Sequence, residues 1–487
     1  MDILKYDVCI IGSGPAGFAT AMRSYDYGNH VAIIEGANLG GAGISGVLVS
    51  KTLWEFSRNY ATVKRTDRGY KVSNVKLNYT EIKKRVEEAV EEREYQLLSQ
   101  IETFSKKPNS KRSVTLINGW AKFKDSKRVI VKKSSGEEII IEANSFVIAT
   151  GSSPRVHPML KVDGKRIIDS DYILSLKKFP KSILIIGAGV VGCEFATVFA
   201  NFGETKVHLL DSQKRVIPFE DDDVSSYVNQ KLLDIGVVHH DATLREVREC
   251  DKYCDVILDY SDGHTEVIAV EVIFISIGRV PNTKDIGLEN IGVEVDNRGL
   301  LKVNNKYQVA KNIYAVGDIS GNMALVNIAE MEGRFVARAI AGDIVYPLSY
   351  HNISTIMFFN PEISAIGLTE KECKAKNISY KVITYQHSLI SRAISMRETD
   401  GFFKIIVTNE DNPLILGVRA GGLQSDISII YIATIMNNHT RLNDIMKTIH
   451  PHPSISEGIQ ECLRILKGKS ILKAEAFPEQ IKFKISP

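Results

Sequence analysis

YDVCIIGSGPAGFATAM, residues 6–22, is the stretch whose reading decides the fold. Asp7 to Ile11 is a short apolar run suited to a buried parallel strand, and Ala16 to Arg23 reads as helix. Between them Gly12-Ser13-Gly14-Pro15-Ala16-Gly17 spells GxGxxG. Each glycine has its own steric task. Gly12 permits the tight turn, Gly14 lets the backbone reach a pyrophosphate, and Gly17 lets helix and strand pack closely. The helix N-terminus then presents free N–H groups to phosphate. A second apolar run, Val31 to Ile34, ends at Glu35, at the ~20-residue interval where a carboxylate meets a ribose diol. A lone glycine pattern carries little weight. Strand, glycines, helix, strand and acid in this order specify a nucleotide-binding β-α-β unit.

The pattern recurs. Ser182 to Ile186 is apolar, and Gly187-Ala188-Gly189-Val190-Val191-Gly192 repeats the glycine spacing. A helix carrying Glu194 follows, and Val207 to Leu210 forms a strand ending at Asp211. A carboxylate at that position accepts hydrogen bonds from a free 2′-OH and repels a 2′-phosphate, so NAD(H) is expected over NADP(H). Lys214 and Arg215 follow closely and oppose that preference.

A chain of 487 residues is too long for one hydrophobic core, so two to four domains are expected. Hydrophobic residues make up 44% and charged residues 24%, as in ordinary globular proteins, and the net charge is only +3. That balance argues against nucleic acid and acidic membrane surfaces as partners. No apolar run approaches the ~20 residues of a membrane span. Residues 1–6 lack the charged and apolar regions of a signal peptide, so a cytoplasmic protein is expected. Cys9, Cys193, Cys250, Cys254, Cys373 and Cys462 form neither a disulfide framework nor a metal-site spacing, and no metal is expected. Cys250 and Cys254 fall in an alternating, turn-rich stretch and read as hairpin thiols. Cys9 and Cys193 read as packing residues.

Four further segments carry a family resemblance: FVIATGSSPR (146–155), ISIGRVPNT (275–283), IYAVGDIS (313–320) and HPHPSISE (450–457). With the two glycine fingerprints they resemble the pyridine nucleotide-disulfide oxidoreductases, among them dihydrolipoamide dehydrogenase and the soluble transhydrogenase. The resemblance runs from about Tyr6 to about Leu466. It implies an α/β protein with two Rossmann-like dinucleotide-binding domains, the NAD domain inserted in the FAD domain, and a C-terminal α+β dimerisation domain. The implied boundaries are 1–155 and 278–348 for the FAD domain, 156–277 for the NAD domain and 349–487 for dimerisation. A long charged amphipathic helix near Thr80 and loop-like flanks of the NAD segment agree with this organisation. The tail after Leu466 exceeds the family pattern.

The resemblance also assigns roles. Gly12, Gly14, Pro15, Ala16 and Gly17 would hold the FAD pyrophosphate and Glu35 its adenosine ribose, and Gly40 and Gly41 count among the cofactor-binding residues. Ala121 would meet the adenine through its backbone. Thr150, Gly151 and Ser152 would follow the flavin-side strand and Asp318 would bond the ribityl or phosphate region, with Ala324, Leu325, Val326 and Asn327 following the pyrimidine edge. Gly187, Gly189, Val190, Val191, Gly192, Asp211, Ala242, Gly278 and Arg279 would contact NAD. Lys51 matches the family lysine that approaches the flavin, and Glu194 its carboxylate partner. His452 matches the histidine that reaches the active site of the partner subunit, oriented by Glu457. His450 reads as structural.

One segment departs from the family. Relatives carry GG-x-C-x4-C-x-P-S-K, whereas this chain has GGAGISGVLVSK over residues 40–51. Counting forward puts Gly43 at the first cysteine, and counting back from Ser50-Lys51 puts Val47 at the second. Neither can form a thiolate, which thiol–disulfide exchange requires. Hydride transfer between nicotinamide and flavin needs only stacking and shielding from water. The expected activity is therefore an FAD-dependent NAD(P)H oxidoreductase that passes electrons to a small acceptor, a quinone or a second pyridine nucleotide. The alternatives are dihydrolipoamide dehydrogenase activity or a non-catalytic flavin-binding dimer. A homodimer with active sites shared between subunits is implied in each case.

Overall fold

The computed structural model describes residues 3–105, 110–343 and 346–486. Met1, Asp2 and Pro487, at the ends of the expected domains, lie outside the described residues. The chain folds into two compact units, each assembled from three chain segments. The first comprises residues 1–53, 78–178 and 275–349, and the second residues 54–77, 179–274 and 350–487.

In the first unit, β1 (Ile3–Ile11), α1 (Pro15–Asp26) and β2 (His30–Glu35) form the expected β-α-β unit. The two strands run parallel, with Ile10 opposite Ile33 and Ile11 opposite Ile34. Helix α1 covers the sheet, as a right-handed crossover requires. It starts at Pro15, where a missing N–H costs nothing. After α2 (Val49–Val63) and the 25-residue α3 (Tyr79–Thr103), β3 (Ser113–Asn118) joins β2 in parallel. The charged helix near Thr80 is thus α3, capped by the Asn78 side chain, which accepts from Glu81 N at 3.2 Å. Strands β4 (Trp120–Asp125), β5 (Arg128–Lys132) and β6 (Glu138–Ile148) form an antiparallel excursion that returns β6 beside β1. The sheet continues with Ile313–Ala315, which pairs parallel to β6 after a gap of over 160 residues. The helix Val326–Ile340 then packs on α1. A Cβ at Gly333 would lie 2.3 Å from Ala16 O, so glycine is what allows these helices to touch.

The second unit repeats the pattern. Strand Ser182–Ile186, α4 (Val190–Phe202) and strand Lys206–Leu210 form another parallel β-α-β unit, and Val237–His239 extends its edge. Helix α5 (Asp222–Leu233) follows. A three-stranded antiparallel sheet, residues 242–249, 254–260 and 265–270, accompanies it, and Cys250 N donates to Tyr253 O in the first hairpin turn. Residues 355–486 add a six-stranded antiparallel sheet. Its last strand, Ile481–Ser486, is the tail that the family pattern did not cover. It pairs along Tyr380–Gln386, with Ile383 opposite Phe483, and closes one edge of the sheet.

A buried charge cluster braces this unit. Lys404 is 1% exposed on strand Phe402–Thr408, and its Nζ lies 3.0 Å from Asp221, 2.7 Å from Asp223 and 2.9 Å from Glu370. The three carboxylates approach one another as the donors of a cation site would, and the ammonium stands among them. Arg419 makes a second buried pair with Glu220 at 2.9 Å. Burial would raise the Glu370 carboxyl, but Lys404 outweighs it and holds the group down at about 2. Its contribution to stability is therefore present above the ordinary 4.5 and is lost as pH falls toward 2. Replacing Lys404 by Met leaves buried carboxylates uncompensated and is expected to cost about 3–5 kcal/mol in urea unfolding at neutral pH. A loss under about 1 kcal/mol would show that the cluster is not a brace.

Candidate active site

The glycine loop after β1 is held by the acid at the end of β2. Glu35 Oε2 accepts from Ser13 N at 2.8 Å and from Ser13 Oγ at 2.6 Å, while Oε1 accepts from Ala37 N at 2.7 Å. Gly12 sits at φ +104°, its N–H donates to Ile34 O at 2.8 Å, and a Cβ there would lie 2.3 Å from Ala149 O. A Cβ at Gly17 would lie 2.0 Å from Gly12 O. At Gly14 a Cβ would meet nothing within 4 Å, so the helix N-terminus opens onto free space. Gly40 N donates to Ser13 Oγ at 3.1 Å, and Gly41, at φ +52°, closes over Gly14. This turn shapes a cradle suited to a pyrophosphate, in which Gly14, Ala16 and Gly17 bring backbone N–H groups to the N-terminus of α1, while Pro15 at its first position has none to give.

The second unit reproduces this geometry. Gly187 also sits at φ +104° and donates to Leu210 O at 2.8 Å. Asp211 Oδ2 accepts from Ala188 N at 2.6 Å and Oδ1 from Gln213 N at 2.8 Å. Gly189 again faces open space, Val190, Val191 and Gly192 begin α4, and Ala242 N donates to Asp211 O at 3.2 Å. Cys193 is fully buried one turn into α4, its Sγ 3.4 Å from Ala188 O, and burial pushes its thiol well above the ordinary range. Glu194, 5% exposed, accepts from Phe358 N at 3.1 Å.

Back in the first unit, Thr150, Gly151 and Ser152 leave β6 and are tied to residues 278–282. Thr150 Oγ1 donates to Asn282 O at 2.7 Å, Asn282 Nδ2 donates to Thr150 O at 2.9 Å, and Gly278 O accepts from Arg155 N at 2.9 Å. Ser152 Oγ donates to Asp318 Oδ2 at 2.5 Å and accepts from Arg279 Nε at 2.7 Å. Asp318 thus has the partner that an acid between a buried strand and a turn needs. Ala324 and Leu325 lead into the helix that Val326 and Asn327 begin, and Ala121 is buried in β4.

The shortened segment forms a π-helical turn, Gly43–Leu48, running directly into α2, whose third residue is Lys51. π-Turns are rare and cluster at functional sites. A Cβ at Gly43 would lie 2.8 Å from Pro15 Cγ, whereas one at Gly46 would meet nothing within 4 Å. Beside this turn lies a cavity of 820 Å³, walled by α1, α3, the π-turn and the helix Val326–Ile340. All six cysteines are free, and none lies between residues 10 and 192. In the second unit, His452 is 68% exposed and its Nδ1 lies 2.8 Å from Glu457 Oε1, while Glu457 Oε2 accepts from Ser454 N at 2.7 Å. Its neighbour His450 instead packs edge-on against Tyr431, ring centres 5.4 Å apart.

Residues 6–333 match the family model of pyridine nucleotide-disulphide oxidoreductases, and residues 353–463 match that family's dimerisation domain. The chain belongs to the pyridine nucleotide-disulphide oxidoreductases. It is an FAD- and NAD-dependent oxidoreductase, and its dimerisation domain supports a homodimer. Among curated relatives it is similar to a dihydrolipoyl dehydrogenase of Bacillus subtilis, at 30% identity over 96% of this chain and 98% of that one. Dihydrolipoyl dehydrogenase 3 of Pseudomonas putida is 31% identical, over 96% and 99% of the two chains. Among solved structures, LpdA of Mycobacterium tuberculosis superposes with a TM-score of 0.85 at 26% identity, covering 94% of this chain and 99% of that one. The HOCl-induced flavoprotein disulfide reductase RclA of Escherichia coli, as its Cu(II) complex, gives 0.84 at 26% identity, covering 95% and 100%. The two glycine cradles of this oxidoreductase fit the pyrophosphates of its two dinucleotides. No helix among the described residues is long and apolar enough to cross a membrane.

Sequence reading gave no individual role to three residues that brace these loops. Ser13 links Glu35 to Gly40, and Asn282 fastens the Thr150 turn. Glu332, 1% exposed on Val326–Ile340, accepts from Gly317 N at 2.7 Å and Asn322 Nδ2 at 3.1 Å, beneath the turn that carries Asp318. Burial pushes this carboxyl up to about 7 against the pull of those donors. Its folded state therefore binds a proton more tightly than the unfolded chain. The stability this adds is full below the ordinary 4.5 and lost as pH rises through about 7. Glutamine imitates the protonated acid, so melting temperatures of the holoprotein and its Glu332→Gln variant are expected to diverge more at pH 8, where the buried carboxyl is ionised, than at pH 5. A difference that does not change with pH would contradict this assignment.

Proposed function

We infer that this chain is an FAD-dependent NADH oxidoreductase whose electrons leave for a small acceptor, a quinone or a second pyridine nucleotide, without a redox disulfide. The observation that carries the reading is the cysteine-free segment Gly40–Lys51, since thiol–disulfide exchange needs a thiolate within reach. When bound, FAD supplies a two-electron carrier between nicotinamide and acceptor. Gly12–Gly17, Gly40, Gly41, Glu35, Ala121, Thr150–Ser152, Asp318 and Ala324–Asn327 would hold it. Gly187–Gly192, Asp211, Ala242, Gly278 and Arg279 would hold NADH. Lys51 and Glu194 would flank the reacting rings. The domain limits proposed above stand with this reading, as does a cytoplasmic homodimer.

The pair His452–Glu457 supports proton transfer to the acceptor, in a site shared between subunits. Glu457 anchors one ring nitrogen at 2.8 Å and leaves the other face of an exposed imidazole available. Similarity to dihydrolipoyl dehydrogenases favours lipoamide as a second reading, but the buried thiol of Cys193 is a poor substitute for the missing relay. A non-catalytic dimer would have no use for the second cradle and its Asp211.

Anaerobic stopped-flow absorbance separates these readings. NADH is expected to bleach the flavin within the turnover time, and a quinone or NAD analogue to restore its colour, while lipoamide turnover stays at background. Flavin that NADH cannot bleach, or lipoamide turnover that persists after all six cysteines are replaced by serine, would refute the proposal.

A further inference from the structure

The strand Lys206–Leu210 leads into Asp211, and the loop beyond it is tied twice to the second glycine cradle. Gln213 N donates to the Asp211 carboxylate at 2.8 Å. Ile217 N donates at 3.1 Å to the carbonyl of Ala188, the residue between the first two glycines. Val216 and Ile217 are fully buried, and Ile217 holds φ +39°, a conformation costly for a β-branched residue. Arg215 stands midway between the two ties. Its backbone is thereby fixed beside the carboxylate expected to meet the ribose, where a cation would welcome a 2′-phosphate.

The side chain of Arg215 is committed to other partners. Its guanidinium pairs with Asp222, the first residue of α5, and donates to Pro218 O at 2.9 Å and Glu220 O at 3.5 Å. A guanidinium fork is the side chain best matched to a phosphate, and here its N–H groups serve a carboxylate and two carbonyls. Lys371 reaches the same acid. Its Nζ lies 3.2 Å from Asp222 and donates to Glu220 O at 2.6 Å. One carboxylate thus stands between two cations. Burial, and then the Arg215 charge, hold the Lys371 ammonium below its ordinary range, so the two cations oppose each other. Lys214 is exposed, and a hydrated ammonium on a flexible stem is a looser phosphate ligand than an aligned fork. The Asp222 side chain is itself 81% exposed, and an exposed ion pair contributes little to stability. Its effect falls on where Arg215 points.

Resting on NADH as the reductant, we propose that Asp222 is a positioning residue for dinucleotide choice, keeping the Arg215 guanidinium on α5 and out of the ribose site. Asp211 then meets the 2′ position without a cation beside it. A 2′-OH donates to that carboxylate, and a 2′-phosphate is repelled. Without the Asp222 charge, Lys371 opposes Arg215 on α5, and the fixed loop delivers the freed guanidinium to the cradle.

The test measures equilibrium binding of two probes that lack the nicotinamide, ADP-ribose and 2′-phospho-ADP-ribose, to the oxidised holoenzyme by titration calorimetry at low salt. The unaltered enzyme is expected to bind ADP-ribose about tenfold more tightly. Arg215→Ala should leave both affinities within about twofold, because the guanidinium is already withheld. Asp222→Asn should strengthen 2′-phospho-ADP-ribose about fivefold, the gain of one charge-assisted contact, and leave ADP-ribose unchanged. Asp222→Glu should keep the original ratio, and Asp222→Asn combined with Arg215→Ala should lose the gain. In anaerobic stopped-flow, the apparent Kd for NADPH should fall in Asp222→Asn while the limiting rate of flavin reduction stays the same. Weaker 2′-phospho-ADP-ribose binding in Arg215→Ala alone would show that Arg215 already reaches the phosphate. No gain in Asp222→Asn, or a gain that survives the loss of Arg215, would show that Asp222 does not act through it. Each of these results overturns the proposal and leaves NADH as the reductant. Binding of neither probe to the unaltered enzyme would remove the second cradle as a nicotinamide dinucleotide site, and this proposal with it.

Discussion

One contact recurs at both nucleotide cradles, and the rest of the structure is arranged around it. A carboxylate at the end of the second strand accepts the N–H of the residue between the first two glycines, at 2.8 Å for Glu35 and 2.6 Å for Asp211. A hydrogen bond to a charged acceptor contributes about 1.5–3 kcal/mol, more than a neutral one. Here it fixes a loop whose first glycine has φ +104°, a conformation closed to most side chains. With the loop fixed, the N-termini of α1 and α4 face open space at Gly14 and Gly189. Each acid can serve the loop and a ribose together, because a carboxylate offers about four acceptor positions. The binding chemistry is thus set by backbone geometry before any side chain specific to a substrate is considered.

The segment Gly40–Lys51 of the first unit carries no cysteine. It forms a π-turn packed against Pro15, with a cavity beside it. The crowding at Gly43 shows how tightly the first cysteine position is now closed, since even a Cβ there would lie 2.8 Å from Pro15. Glu194 is buried, and His452 is held by Glu457. Stability is drawn from elsewhere, from the Lys404 cluster and from the tail strand that closes the antiparallel sheet.

Much of this was legible in the sequence, and for identifiable reasons. Glycines at fixed spacing between apolar runs left one local solution, so β1, α1 and β2 and their repeat at Ser182–Leu210 form where expected. α1 runs slightly longer than its apolar pattern, to Asp26. Burial of Cys9 and Cys193 and the hairpin at Cys250 likewise follow from local pattern. What the sequence hid depends on distant partners. Glu332 looks like a surface acid of an amphipathic helix, and only the return of the Gly317 turn, 15 residues earlier, makes it a buried anchor. Lys404 alternates with apolar neighbours as an outward residue would, yet three carboxylates from other segments enclose it. The tail strand has a period of two, but nothing local names Tyr380–Gln386 as its partner. The cavity depends on four separate elements and has no local signature.

The central claim is that FAD is the only two-electron store in this enzyme. The most direct test is an anaerobic titration of the oxidised holoenzyme with NADH, following flavin absorbance and residual NADH together. The account predicts that one equivalent per FAD completes the bleaching and that further NADH stays in solution unchanged. Consumption of a second equivalent would reveal another two-electron group, a disulfide assembled from cysteines that the fold holds apart, and would contradict it.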